Sequence, residues 1–81
     1  MNVRVQLFSR LKEIANTGAV QVEVPEGASV RELLAELYRR FPAFRSWDES
    51  ILIGAGVEFV GREYVIQASD DIAIMPPVQG G

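Results

Sequence analysis

Apolar and polar residues alternate along Val3-Arg4-Val5-Gln6-Leu7, which predicts a strand with Val3, Val5 and Leu7 facing a core and Phe8 turned to the other side. Ser9 is placed to cap a short helical turn, Arg10 to Ala15, in which Leu11 and Ile14 stand at helical spacing. Asn16-Thr17-Gly18 is turn chemistry, and Ala19-Val20-Gln21-Val22-Glu23-Val24 alternates again as a second half-buried strand. After Pro25-Glu26-Gly27-Ala28, Ser29 and Glu32 form a capping-box pattern that opens the main helix. Val30, Leu33, Leu34, Leu37, Tyr38 and Phe41 then fall on one helical face, and Pro42 ends the helix at Phe41.

From Ala43 to Ser50 no period is legible, so the stretch reads as a crossover loop with Trp47 at the edge of the core. Ile51 to Val57 reads as a strand weakened by Gly54 and Gly56, at a bulge or a close backbone approach. Glu58-Phe59-Val60 leads into Gly61-Arg62, Glu63-Tyr64-Val65 reads as a short edge strand, and Ala68 to Asp71 turns into a last strand, Ile72 to Met75. A first and a last strand with a helix between them can lie parallel. The order therefore predicts an α+β fold: a mixed sheet with one main helix packed across one face, residues 1–75, and an extended tail, residues 76–81. On the uncovered face the alternation puts Phe8, Met75 and Phe59 beside Arg4, Gln6, Gln21 and Glu23. Large apolar side chains gathered on an open face mark a partner surface, the plainer alternative being that loops cover them.

Composition narrows the chemistry. The 81 residues make one small domain, which needs nearly all its apolar side chains for a single core. With no cysteine and no histidine there is no disulfide framework, thiolate nucleophile or imidazole base, and neither common zinc ligand; no metal site is expected and a self-sufficient enzyme ranks last. Eight basic residues scattered among eleven acidic ones leave a net charge of −3, which is no nucleic-acid footprint. No apolar run approaches the roughly 20 residues that span a bilayer, and the start lacks a signal-peptide pattern, so a soluble cytoplasmic chain without membrane partners is expected. Gly54-Ala55-Gly56 precedes no helix that could complete a phosphate-binding loop.

Pro76-Pro77-Val78-Gln79-Gly80-Gly81 carries the strongest functional signal. Two prolines cannot donate ladder hydrogen bonds and hold φ near about −65°, so the backbone leaves the sheet at Pro76 as a stiff segment. Gly80 and Gly81 carry no Cβ, which suits a narrow channel. Extended, six residues span roughly 20 Å.

Three segments carry a family likeness: Leu7-Phe8-Ser9-Arg10-Leu11-Lys12-Glu13, the run Val24 to Leu34 into the helix, and Met75-Pro76-Pro77-Val78-Gln79-Gly80-Gly81. On these the chain resembles the ubiquitin-like β-grasp sulfur carriers, most closely the small subunits of molybdopterin synthases, along essentially its whole length. The resemblance implies a β-grasp fold with a flexible Gly-Gly tail and no permanently bound cofactor. It implies that a separate, E1-like adenylating enzyme uses ATP and magnesium to activate the Gly81 carboxylate, and that a sulfur donor converts it to a thiocarboxylate. The tail would then enter the large catalytic subunit of molybdopterin synthase, which binds the pterin precursor. In that scheme Gly81 carries sulfur, Gly80, Gln79, Val78, Pro77 and Pro76 give access, and Phe8, Phe59 and Met75 supply apolar docking area. Two other readings share the tail chemistry: a carrier serving transfer RNA, thiazole or cysteine synthesis, and a ubiquitin-like modifier that forms isopeptide bonds. One departure is Gly56, where such family members commonly carry asparagine.

Overall fold

The computed structural model describes residues 1–77. Five strands, β1 (Asn2–Leu7), β2 (Ala19–Glu23), β3 (Leu52–Ala55), β4 (Glu58–Val60) and β5 (Ile72–Met75), form one mixed sheet in the order β2-β1-β5-β3-β4. β5 lies in the middle, parallel to β1 (Val5 opposite Ile72, Leu7 opposite Ile74) and antiparallel to β3. The two ends of the chain thus pair, as the strand–helix–strand order anticipated. Val3, Val5, Leu7, Ile53, Ile72 and Ile74 share one face of the sheet and are buried beneath helix α2 (Val30–Arg40), which contributes Val30, Leu33, Leu34, Leu37 and Tyr38.

Helix α2 starts as its sequence dictates. Ser29 Oγ accepts from Glu32 N at 3.3 Å and Glu32 Oε1 accepts from Ser29 N at 3.1 Å, a complete capping box. The next two orphan donors go elsewhere: Val30 N bonds Tyr64 O at 2.9 Å and Arg31 N bonds Arg62 O at 3.0 Å. This explains why Glu63-Tyr64-Val65 is not the edge strand its sequence suggests. Carbonyls of residues 62 and 64 are spent on the helix terminus, and only Val65 makes an isolated bridge, to Ser29.

Three further expectations need correction. Helix α1 (Ser9–Ala15) is not capped by Ser9: the β1–β5 ladder runs on through Phe8 N to Ile74 O at 3.3 Å, so Phe8 occupies the extended cap position and Ser9 follows at φ +53 with no capping bond. Residues 43–50 are not an irregular loop, because Pro42–Trp47 forms a 3-10 helix that inserts Phe44 into the core at 2 % exposure. Phe44 stacks on Phe41 at 5.0 Å between ring centroids. A three-residue repeat, Phe41-Phe44-Trp47, carries this element, a period easily missed when only 3.6 and 2 are sought. Finally, Gly56 is neither bulge nor strand. With φ +64 it holds the first central position of the two-residue loop joining Ala55 to its partner Glu58, where a hairpin of the II′ type takes glycine.

Candidate functional site

Alternation places Phe8, Met75 and Leu52 in one row on the face away from α2. Met75 pairs with Leu52, and Phe8 continues β1 one residue beyond the Leu7–Ile74 pair, which sets it beside Met75. Phe8 is 44 % exposed and Leu52 39 %. The next row along the sheet is Gln6, Ala73, Gly54 and Phe59, with Phe59 on the edge strand and 70 % exposed. Phe59 therefore shares the open face with Phe8 and Met75 but not their cluster. At about 4.8 Å per strand spacing it stands roughly 14 Å across the sheet from Phe8, over a floor of the small residues Ala73 and Gly54. Leu52 was not singled out from sequence, since Ile51-Leu52-Ile53 reads as an unbroken apolar run; an inward reading of Ile51 and Ile53 turns Leu52 outward.

Where β5 runs out, the chain leaves the sheet through Pro76 and Pro77 along an apolar groove of about 500 Å³. Its walls are Phe8, Met75 and Trp47, with Ser9 and Arg10 at the rim. Trp47, read from sequence as a core-edge lid, is half-buried against the core and also forms part of the tail root. Only the packing of the 3-10 helix against α1 reveals that second role. Arg10 is held at the rim by Glu13, 3.2 Å away. Gly81, Gly80, Gln79 and Val78 lie outside the described residues, so the structure locates the root of the tail and not its tip.

On the helix side, Asp48 gathers three contacts. Its Oδ1 accepts from Tyr38 Oη and, at 2.8 Å, from Arg62, whose other guanidinium nitrogen donates to the Asp48 carbonyl. Burial, reinforced by the Asp48 carboxylate, pushes the Tyr38 hydroxyl up to about 12. The Tyr38 hydrogen bond, with Arg62 beside it, holds Asp48 below the usual carboxylate range. This cluster ties α2, the end of the 3-10 helix and the segment after β4 together; it is a structural knot at the residue following Trp47.

Among the described residues, no cluster of His, Cys, Asp or Glu could hold a metal ion, and no helix is long and apolar enough to cross a membrane. The arrangement offers an apolar face, a groove and an exit for the chain end. Fold and site together define a ubiquitin-like β-grasp protein whose last strand stops at Pro76 beside an open sheet face. The ThiS family model matches residues 5–81, and the chain belongs to that family. The molybdopterin synthase sulfur carrier subunit of Drosophila melanogaster is 32 % identical over 83 residues, covering 100 % of this chain and 92 % of that protein. The crystal structure of SAMP1 from Haloferax volcanii superposes with a TM-score of 0.87 at 29 % identity, covering 100 % of both chains. A putative molybdopterin converting factor subunit 1 from Pyrococcus furiosus gives 0.85 at 28 % identity, covering 96 % of this chain and 99 % of that one.

Proposed function

We propose that this chain is the sulfur-carrying small subunit of a molybdopterin synthase. The observation that carries the reading is full-length similarity to proteins named molybdopterin synthase sulfur carrier subunit, in a chain whose last strand ends at Pro76 beside an apolar face. A terminal carboxylate has a pKa near about 3.5 and is ionised at neutral pH, hence a poor acyl donor. An E1-like partner with ATP and magnesium overcomes this: a Gly81 oxygen attacks the α-phosphorus, pyrophosphate leaves, and sulfur from a donor then displaces AMP to give the thiocarboxylate. Pro76 and Pro77 start the arm away from the sheet, and Gly80 and Gly81 keep its end slim enough for a buried active site in the large subunit. There the thiocarboxylate sulfur bonds to the pterin precursor, and water then cleaves the Gly81 carbon–sulfur bond, leaving the sulfur on the pterin and a free Gly81 carboxylate. Phe8 and Met75, with Leu52 beside them and Phe59 farther out, dock the body of the carrier against that subunit.

Incubation with a cognate adenylating enzyme, ATP, magnesium and a sulfur source should raise the intact mass by the difference between sulfur and oxygen. The reading fails if the mass stays that of the free acid while a known carrier is converted under the same conditions. Lysines of other proteins carrying residues 63–81, the remnant trypsin leaves by cutting after Arg62, would instead indicate the modifier reading.

A further inference from the structure

Trp47 and Asp48 are neighbours in the chain that serve two different sites. Trp47 walls the groove through which Pro76 and Pro77 leave the sheet, and Asp48 reaches Tyr38 and Arg62 on the helix side. Local geometry accounts for the divergence. At three residues per turn, consecutive side chains point about 120° apart, so one residue can face the groove while the next faces α2.

Phe44, buried at 2 % exposure, and Ile51, buried at 8 %, set how deep the segment between them sits. Two anchors along one line leave that segment free to roll about the line. The roll is set by Asp48. Its Oδ1 accepts from the Tyr38 hydroxyl and, at 2.8 Å, from Arg62, while its carbonyl accepts from the second guanidinium nitrogen. Tyr38 is itself fixed on the buried face of α2, with the Arg45 guanidinium over its ring at 5.6 Å. The backbone beside Trp47 has no slack. The Trp47 carbonyl accepts from Ser50 N at 2.9 Å, Ile51 N at 3.0 Å and Ser50 Oγ at 3.2 Å, so a roll at Asp48 moves the indole rather than being absorbed by the turn.

We infer that Tyr38 and Asp48 are positioning residues for the root of the C-terminal arm: they hold the Trp47 indole as the wall along which Pro76 and Pro77 depart, and so set the direction of the exit. Both prolines hold φ near about −65°, so a change of direction at the groove is not taken up within the pair. That direction matters whatever the end of the chain carries, and the role is therefore separate from the sulfur-carrier reading.

Trp47 is the only tryptophan, so indole fluorescence reports on this wall alone. In the full chain under native conditions, Asp48→Ala and Tyr38→Phe should each raise acrylamide quenching of Trp47 about twofold, as a half-buried ring opens to solvent. The same variants should shift the Met75, Pro76 and Pro77 proton resonances in the direction that Trp47→Ala shifts them, because the ring current in the groove changes. Asp48→Asn, whose amide oxygen still accepts from Tyr38, should stay close to the parent protein in both readouts. Ser29→Ala breaks the capping box at the start of α2 and lowers stability without touching Asp48, and should leave both readouts unchanged. Tyr38→Phe keeps the ring and its packing, so it carries the test should Asp48→Ala not fold. Unchanged quenching and resonances in Tyr38→Phe, or an equal change in Ser29→Ala, would overturn the inference. So would Trp47→Ala leaving the Met75, Pro76 and Pro77 resonances in place, or Asp48→Asn behaving as Asp48→Ala does.

Discussion

Removing the Asp48 carboxylate should unravel the helix-side knot at a cost that can be worked out from its partners. In Asp48→Ala the Tyr38 hydroxyl, on a residue only 8 % exposed, loses its acceptor. A buried donor left unpaired costs about 1–3 kcal/mol. Arg62 adds little, because its side chain is 28 % exposed and can turn to water. A total near 2 kcal/mol, at about 4–8 °C per kcal/mol for a domain of this size, lowers Tm by roughly 8–16 °C. Tyr38→Phe removes the stranded hydroxyl, so the double variant should recover about 1 kcal/mol relative to additivity. The pH dependence has two limbs. Asp48 is held low in the fold, so its contribution is present above the ordinary carboxylate range and lost as pH falls through the lowered folded value. Tyr38 is raised from 10.0 to about 12, so its contribution is complete below about 10 and lost as pH climbs toward 12. Urea melts of the four proteins at acid, neutral and alkaline pH measure all of this. Strict additivity, or a loss below about 0.5 kcal/mol for Asp48→Ala, would refute the account of Asp48 as the half-exposed acceptor that satisfies the buried Tyr38.

If the chain is the proposed synthase subunit, Phe8→Asp should weaken its association with a cognate large subunit at least about tenfold by placing a charge in the Phe8–Met75–Leu52 row, with Phe59→Asp weaker in effect because Phe59 stands apart; titration calorimetry against that purified subunit distinguishes them. Gly56→Ala should cost about 1–2 kcal/mol because the residue sits at φ +64, and Gly56→Asn less, since asparagine tolerates that region; chemical denaturation reads both. Phe44→Ala should cost about 3–5 kcal/mol, visible as a collapse of the melting temperature, although neither the 3.6- nor the 2-residue period marks residue 44 as core.

What could be read without coordinates was whatever depends on neighbours in the chain. Period-2 alternation announced β1 and β2, the Ser29–Glu32 pair and the apolar face from Val30 announced α2, and the two prolines marked where β5 stops, because capping, amphipathicity and missing N–H groups act within a few residues. The open-face positions of Phe8, Met75 and Phe59 followed from the same alternation once one helix had to cover one side. Long-range packing settled the remainder. Tyr64 and Arg62 give their carbonyls to α2 across some thirty residues of chain, which is why a strand-like segment does not pair as one. Trp47 reaches the tail root only because Phe44 is anchored in the core, and the Tyr38–Asp48–Arg62 knot joins side chains from three separate elements. Partners distant in sequence leave no local period, so their meeting becomes visible only when the sheet and helix have been assembled.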